Sequence, residues 1–451
     1  MRRFLVFLLF SVLALPHGVL ATDSRQARNA ALLAAKDRRI RTRVAGEPGA
    51  VVVRLANGRT RQYPADADTD AARGAALNTA FALGPLLRNS TVFLGPGTYA
   101  ITAGLRGFNG TKLYGSGRDT TTIKVADGSL SDNYFVFRCV EGQDPVTGFR
   151  ISNHCEIQDV TLDVNRHNQL SGTFYGVGAQ IYGSDSIMRN VRCMNAGGNG
   201  REEIFCLYCV GSGGAGGTFN TGLVKNLLIE NCEVTSIAPG FGTIPISITG
   251  IAMNGSYAPD PTKPGAGWVV NGRITGCSVH DVTCVTGLQA FQVNLASRTV
   301  VENCTTRGNS ARYVWGFYND TGSLQNLLIT RNVFDDIDVG ARILCDPNSF
   351  HRDTTIVDND FHVWAPPNAT AKAGIECAGR SNKNVTWPRI IGNRITLASA
   401  FAGSVGVNLV DGSGAFVLAN LIDGFVTPIS ITNFDNTVVR DNFDANGNPL
   451  P

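Results

Sequence analysis

The chain has 451 residues, of which 51 are glycine and only 17% are charged. Its 39 Lys and Arg against 36 Asp and Glu leave a formal charge of +3. That is too small a field to gather a polyanion, so binding of nucleic acid by bulk charge is excluded.

Met1 to Ala21 carries Arg2 and Arg3, then an apolar stretch from Phe4 to Leu15, then the small-residue end Val19-Leu20-Ala21. This is the layout of a secretory signal peptide, and the stretch is too short to span a bilayer. No later segment approaches a membrane span. The expected product is an exported protein, extracellular or periplasmic, with no membrane partner and no nucleic-acid partner. Loss of the two arginines lowers the formal charge from +3 to +1.

Residues 22–65 read as a lead-in segment. Thr22 to Ala45 is rich in Ala, Arg and Lys and fits a short helix or an unstructured run, and Val51 to Tyr63 alternates like a hairpin. From Asp66 to Leu87 the pattern predicts a capping helix. Asp68-Thr69-Asp70 supplies the N-cap, and Ala72, Ala76, Leu77, Ala80 and Phe81 form the apolar stripe.

Beyond it, one unit recurs: an aliphatic residue, a Val, Cys or Asn three positions on, and an apolar residue two further. It begins at Ile157, Met188, Ile229, Ile274, Val301, Ile329, Ile356, Ile390 and Val417. The steps between central positions are 31, 41, 45, 27, 28, 27, 34 and 27 residues. Self-similarity at this period marks a stacked coil in which no unit buries its apolar face alone. The units are short and spaced two by two, so they are strands, and a step near 27 suits one turn of a parallel β-helix. Longer steps are loops leaving the coil. Residues 66–451 are therefore expected to form one coil domain. The central column holds Cys232, Cys277 and Cys304, then Asn332, Asn359, Asn393 and Asn420. Asn suits a left-handed bend between strands, and stacked amides bond from turn to turn.

Eleven cysteines remain after cleavage, an odd number. Cys193, Cys232, Cys277, Cys304, Cys345 and Cys377 fall in strand patterns and are expected buried and reduced. Cys206 and Cys209 are expected in a loop. Cys139 and Cys155 flank one excursion and are expected to pair.

The entry to the coil reads Thr91-Val92-Phe93-Leu94-Gly95-Pro96-Gly97-Thr98-Tyr99, then Leu113-Tyr114-Gly115-Ser116-Gly117 and Thr121-Thr122-Ile123. From Asp66 to Val125 this resembles the start of pectate-lyase-like right-handed parallel β-helix proteins. That superfamily includes pectin-active enzymes, polygalacturonases and phage tailspike depolymerases. The resemblance implies an all-β fold, a right-handed single-stranded parallel β-helix with an N-terminal capping helix, and a polysaccharide as partner. Trimers are common among the depolymerase relatives, so monomer and homotrimer both stay open. It is specific for fold and not for reaction. Of the polygalacturonase signatures only Asp335-Asp336 is matched, and Arg342-Ile343 is followed by Leu344.

Each late turn carries a second strand ahead of the ladder position. Aligning Phe317, Ile343, Ile375 and Val407 as inward residues turns Tyr318, Leu344, Glu376 and Asn408 outward and stacks Asp320 on Asp346. Neighbouring strands lie about 4.8 Å apart, near the separation of a retaining glycosidase's carboxyl pair. The candidate catalytic residues are Asp320 and Asp346 as acid and base, with Arg342 and Glu376 beside them. Trp315, Tyr318, Gln292, Arg380 and His351 are the candidate sugar-binding residues, aromatic faces and polar ends being what a saccharide needs. Asp-Thr-Gly and Asp-Pro-Asn are also ordinary turns. No cofactor is specified; calcium is left open by the oxygens of Asp335, Asp336 and Asp338. His280-Asp281 and His362 are expected on the surface.

The expected activity is cleavage of glycosidic bonds in a polysaccharide, by hydrolysis or by elimination. A non-catalytic glycan-binding or structural coil, or a polysaccharide epimerase, is the alternative.

Overall fold

The computed structural model describes residues 17–129, 134–144, 148–150, 152–169, 175–198, 203–210, 224–237, 247–255, 268–284, 286–319, 322–345, 349–364, 372–379 and 384–450. It is a right-handed parallel β-helix, nearly all strand, and among the described residues its α-helices lie at the N-terminal end. From turn to turn the long strands and the wall strands stack in parallel. One column of aliphatic residues runs Ile157, Met188, Ile229, Ile274, Val301, Ile329, Ile356, Ile390 and Val417 in unbroken register. A second runs Leu162, Cys193, Val234, Val279, Thr306, Phe334, Phe361, Ile395 and Ile422. Both columns are those of the sequence repeat. Period-two alternation turns these side chains inward, where they are buried. Each such aliphatic side chain contributes roughly 1.5–3 kcal/mol.

A turn of the coil shows how the sequence bends. The long strand Gly287–Asn294 is followed by the short strand Ala296–Ser297, then Val300–Glu302, then Thr305–Arg307, before the next long strand, Tyr313–Asn319. The corners are residues with positive φ, Arg298 at 51° and Asn303 at 52°. The Asn column lies one position after such a corner. Asn332 follows Arg331 and Asn359 follows Asp358, and it is Arg331 and Asp358 that adopt the left-handed conformation. The expected role of these Asn as the bend residues is thus displaced by one position. They point inward and bond to one another instead. Asn332 Nδ2 donates to Asn359 Oδ1 at 2.9 Å, Asn359 to Asn393 at 2.9 Å, Asn393 to Asn420 at 3.0 Å and Asn420 to Asn442 at 2.9 Å. Each Oδ1 also accepts the backbone N–H of the preceding Asn. The ladder leads into the Cys column, where the Cys304 N–H donates to Asn332 Oδ1 at 2.9 Å.

The N-terminal end is closed by built-in elements. Helix α1 (His17–Ala45) packs Ile40 and Val44 on Val52 and Phe93. The strand Val51–Arg54 pairs antiparallel with both Thr60–Tyr63 and Thr91–Leu94. The segment ahead of Asp66 is therefore part of the coil's end wall. Helix α2 (Asp70–Phe81) is capped by Thr69, whose Oγ1 accepts the Ala72 N–H. It lies against the strand Gly97–Ile101 closely enough that a side chain at Gly74 would strike the Ala100 carbonyl.

Cys139 and Cys155 form a disulfide, as expected. Nine other cysteines are free and buried. Cys206 and Cys209 lie in the strand Glu203–Val210, not in a loop.

Replacing Asn359 with Leu removes the acceptor of the Asn332 backbone N–H and of one of its two amide N–H groups, the other keeping the Val301 carbonyl. The expected cost is roughly 2–4 kcal/mol, read as a shift of the urea midpoint. A shift below about 0.5 kcal/mol would show that the ladder contributes little.

Candidate functional site: the outer strip of the long-strand sheet

The long strands are the widest surface of the coil, and their register decides which residues share it. Phe317 stands opposite Ala341, Ala341 opposite Ile375, and Ile375 opposite Val407. The expected partner of Phe317, Ile343, is instead opposite Asn319 and Cys377. The alignment that stacked Asp320 on Asp346 is thus offset by two residues from the strands that precede them. Asp320, Asp346 and Arg380 themselves lie outside the described residues.

The correct register yields an outward column of Arg138, Gln180, Tyr208, Ala252, Gln292, Tyr318, Arg342, Glu376, Asn408 and Ser430. At about 4.8 Å per turn it is roughly 40 Å long. Two residues before most of its members stands a glycine. A side chain at Gly316 would strike Phe334, at Gly340 Phe361, at Gly374 Ile395 and at Gly406 Ile422, all from the opposite wall of the core. Each strand flexes there, so the residue after the glycine also faces inward, as Phe317 and Ala341 do. Residues three apart then share the outer face. Phe205 stacks on Tyr208 at 4.3 Å between ring centroids, and Trp315 lies 5.0 Å from Tyr318. Tyr313 continues the aromatic wall, 5.7 Å from Trp315, with the Arg312 guanidinium over its ring.

The strip changes character along its length. Its middle is a buried amide chain: Thr249 Oγ1 donates to Gln289 Oε1 (3.2 Å), which also accepts from Gln292 Nε2 (2.7 Å). Asn254 Nδ2 donates to Gln292 Oε1 at 2.6 Å, and Asn319 Nδ2 to Asn294 Oδ1 at 2.7 Å. Gln292 is 3% exposed and its amide is occupied by protein. Arg138 Nε donates to Gln180 Oε1 at 2.8 Å at the N-terminal end. Tyr182 lies beside them, its phenol raised above its usual pKa by burial. Toward the other end stands the pair Arg342 and Glu376, directly opposite in register, with Nε and Oε2 2.8 Å apart. Their side chains remain 30% and 20% exposed, unlike the amides. Arg342, Glu376, Trp315 and Tyr318 are brought together on this strip, with Arg342 in the place where the alignment expected Leu344.

His351 is not among them. It stands opposite Leu324 and Val385 in an inward column, 1% exposed, with Nε2–H donating to the Leu344 carbonyl at 2.8 Å. The expected sugar-binding role does not fit this position, because the register puts the imidazole in an apolar inward column where its polarity gives no exposure. Asp335, Asp336 and Asp338 also diverge: Asp335 is 2.6 Å from His362, Asp336 accepts the Gly308 N–H, and Asp338 accepts the Val314 N–H. Among the described residues no group of three or more His, Cys, Asp or Glu is placed to hold a metal ion.

A coil of this kind defines the class of pectate-lyase-like parallel β-helix proteins. More narrowly, residues 59–311, over half of the chain, match the family described as rhamnogalacturonase A/epimerase, pectate lyase-like, and the chain belongs to it. Among curated proteins there is no match. Several solved structures share the fold. The A-module of mannuronan C-5 epimerase AlgE6 from Azotobacter vinelandii is 16% identical, with 83% of this chain and 96% of that one covered and a TM-score of 0.47. The catalytic domain of a GH87 α-1,3-glucanase in complex with nigerose is 15% identical, covering 85% and 65%, with a TM-score of 0.42. A mutant tailspike protein of E. coli bacteriophage HK620, in complex with a pentasaccharide, is 12% identical, covering 86% and 65%, with a TM-score of 0.49.

Burial holds the His351 imidazole at about 4, down from 6.5, the hydrogen bond to Leu344 offsetting only part of the effect. Above pH 6.5 both folded and unfolded states are neutral there. Below it the unfolded chain takes a proton that the folded chain refuses, so stability falls between pH 6.5 and about 4. The loss is on the order of 3 kcal/mol. His351→Leu is expected to flatten that limb of the stability–pH curve, measured by denaturant unfolding at each pH.

Proposed function

We propose that the protein is an exported polysaccharide-active enzyme that cleaves glycosidic bonds in a groove along the long-strand sheet. One observation carries this reading: a solvent-reached Arg342–Glu376 pair adjoins the Trp315–Tyr318 aromatic wall on one outward strip. Flat apolar rings accept the CH faces of sugars, while a carboxylate and a guanidinium supply charge at a bond to be broken. Glu376 offers a proton acceptor or nucleophile, and Arg342 neutralises an acidic sugar's carboxylate or a developing oxyanion. Asp320 follows the strand Tyr313–Asn319 in sequence and Asp346 the strand Val339–Cys345, so either is a candidate for the second carboxylate beside Glu376, though not as a pair in one register. A carboxylate pair serves hydrolysis, whereas elimination needs a uronate and a group that removes its ring proton.

The buried amide chain bears on how substrate is held. Thr249, Gln289, Gln292 and Asn254 are already bonded to one another, so this part is a rigid floor and not a set of free ligand contacts, while the buried Oδ1 of Asn319 has no partner among the described residues. Contact with sugar falls on the residues left open at the C-terminal end of the strip. Calcium bridging a uronate to groove carboxylates is compatible with the proposal.

Glu376→Gln and Arg342→Ala are each expected to lower turnover by about 10²-fold or more on whichever polymer of a uronate and neutral panel the wild type degrades. Ultraviolet absorption of unsaturated ends signals elimination; new reducing ends without absorption signal hydrolysis. The double exchange Arg342→Glu with Glu376→Arg keeps the ion pair and is expected to restore stability but not turnover. Full activity in either single variant would remove the site.

A further inference from the structure

One corner of the coil breaks the chain's own rule. The bend between the short strand and the next wall is made at positive φ in turn after turn: Asn226, Asn271, Arg298, Asn326 and Asp353, with φ between 51° and 57°. In the following turn that position is Trp387, at φ 58°. A bulky residue in the left-handed region is a strained choice, and Pro388 pushes its predecessor toward extended backbone as well. The corner is nonetheless firmly made, the Trp387 N–H donating to the Ser413 carbonyl at 2.9 Å.

The ring gains little burial in return, since Trp387 is 50% exposed. It lies across Gly414 of the next turn. A Cβ there would come within 2.8–3.1 Å of three ring carbons, so glycine is the residue that lets the indole settle against the backbone. Beside it Arg389 Nη2 donates to Asp353 Oδ1 at 3.5 Å, and both side chains are well exposed. Arg352 precedes Asp353, its guanidinium over the Phe350 ring. The corner therefore presents a backed, immobile aromatic surface flanked by a carboxylate and a guanidinium.

Half of one tryptophan amounts to roughly 100 Å², far below the about 800 Å² per partner of a stable protein interface. It matches the apolar face of one pyranose ring, with the ion pair in reach of hydroxyl groups. Resting on the glycan reading of the groove, we propose that Trp387, with Asp353 and Arg389, is a second sugar-binding platform. It stands at the corner immediately after the strand Val385–Thr386, which stacks between His351–Arg352 and Gly412–Ser413, outside the outward strip. It holds a single pyranose unit of a polysaccharide strand and takes no part in bond cleavage.

The strain makes the test two-sided. Trp387→Asn installs the residue that other corners use. It is expected to keep or raise the melting midpoint while lowering retention of polymer about five- to tenfold. Retention is read by affinity electrophoresis in gels containing polygalacturonate or a neutral β-glucan. Turnover of short oligosaccharides is expected to stay at the wild-type level, and Trp387→Phe to retain part of the binding. Unchanged retention in Trp387→Asn overturns the platform, and so does a drop in its melting midpoint, which would mark a packing role. Trp387-dependent retention without any turnover by the wild type would sink the groove reading alone. Turnover without Trp387 dependence would sink the platform alone, and a wild type that neither binds nor turns over any glycan removes both.

Discussion

Strand-to-strand register in parallel stacking governs everything else in this molecule. Each turn must present its hydrogen-bonding groups exactly one strand spacing above the last, so a residue's neighbours are decided by its counterpart in the next turn. Inside the coil this places Asn over Asn and aliphatic over aliphatic. A lone buried amide would be costly, whereas a column of them satisfies itself and prefers one register over every slipped alternative. Outside the coil the same stacking makes a line of polar and aromatic residues from positions that are far apart in sequence.

What could be read from the amino acids depended on how strongly a position is duplicated. The two aliphatic columns recur in nine turns with fixed local spacing, and their stacking was legible in full. The capping helix and the hairpin carried ordinary local signals, and the Thr69 cap sits where its side chain suggested. The ladder Asn were found, but their physical job was misjudged by one residue, because both a corner and an inward amide favour the same amino acid. The corner role falls instead to the residue before, which is Asn303, Asp358 or Gly392 in some turns but Arg331 and Ala419 in others, so the corner signal is broken just where the Asn ladder begins.

The outer strip was harder because its residues have nothing in common. An apolar pattern alone favours the larger Ile343 as the mate of Phe317, whereas the small Ala341 holds that place. The usable signal was glycine. Gly316, Gly340, Gly374 and Gly406 are each forced by a large core side chain opposite, and counting two onward from each gives Tyr318, Arg342, Glu376 and Asn408. His351 and Cys206 misled for a related reason: chemistry suggested exposure or a loop where only position in the turn decides. The Ile375 and Val407 alignment already turns Glu376 outward, whereas Arg342 enters the column only in the register that pairs it with Tyr318 and Glu376.

The nine unpaired cysteines give the coil a property beyond shape. Burial raises the thiols of Cys206, Cys232 and Cys277 well above their usual range, and those of Cys284 and Cys377 to about 12. Exchange with a disulfide needs a thiolate and a clear approach, and the wound coil denies both. The Cys139–Cys155 bridge is consequently safe from attack by those thiols. Mispairing is a hazard only while the chain is still being wound; afterwards the architecture itself quarantines the remaining thiols from reshuffling.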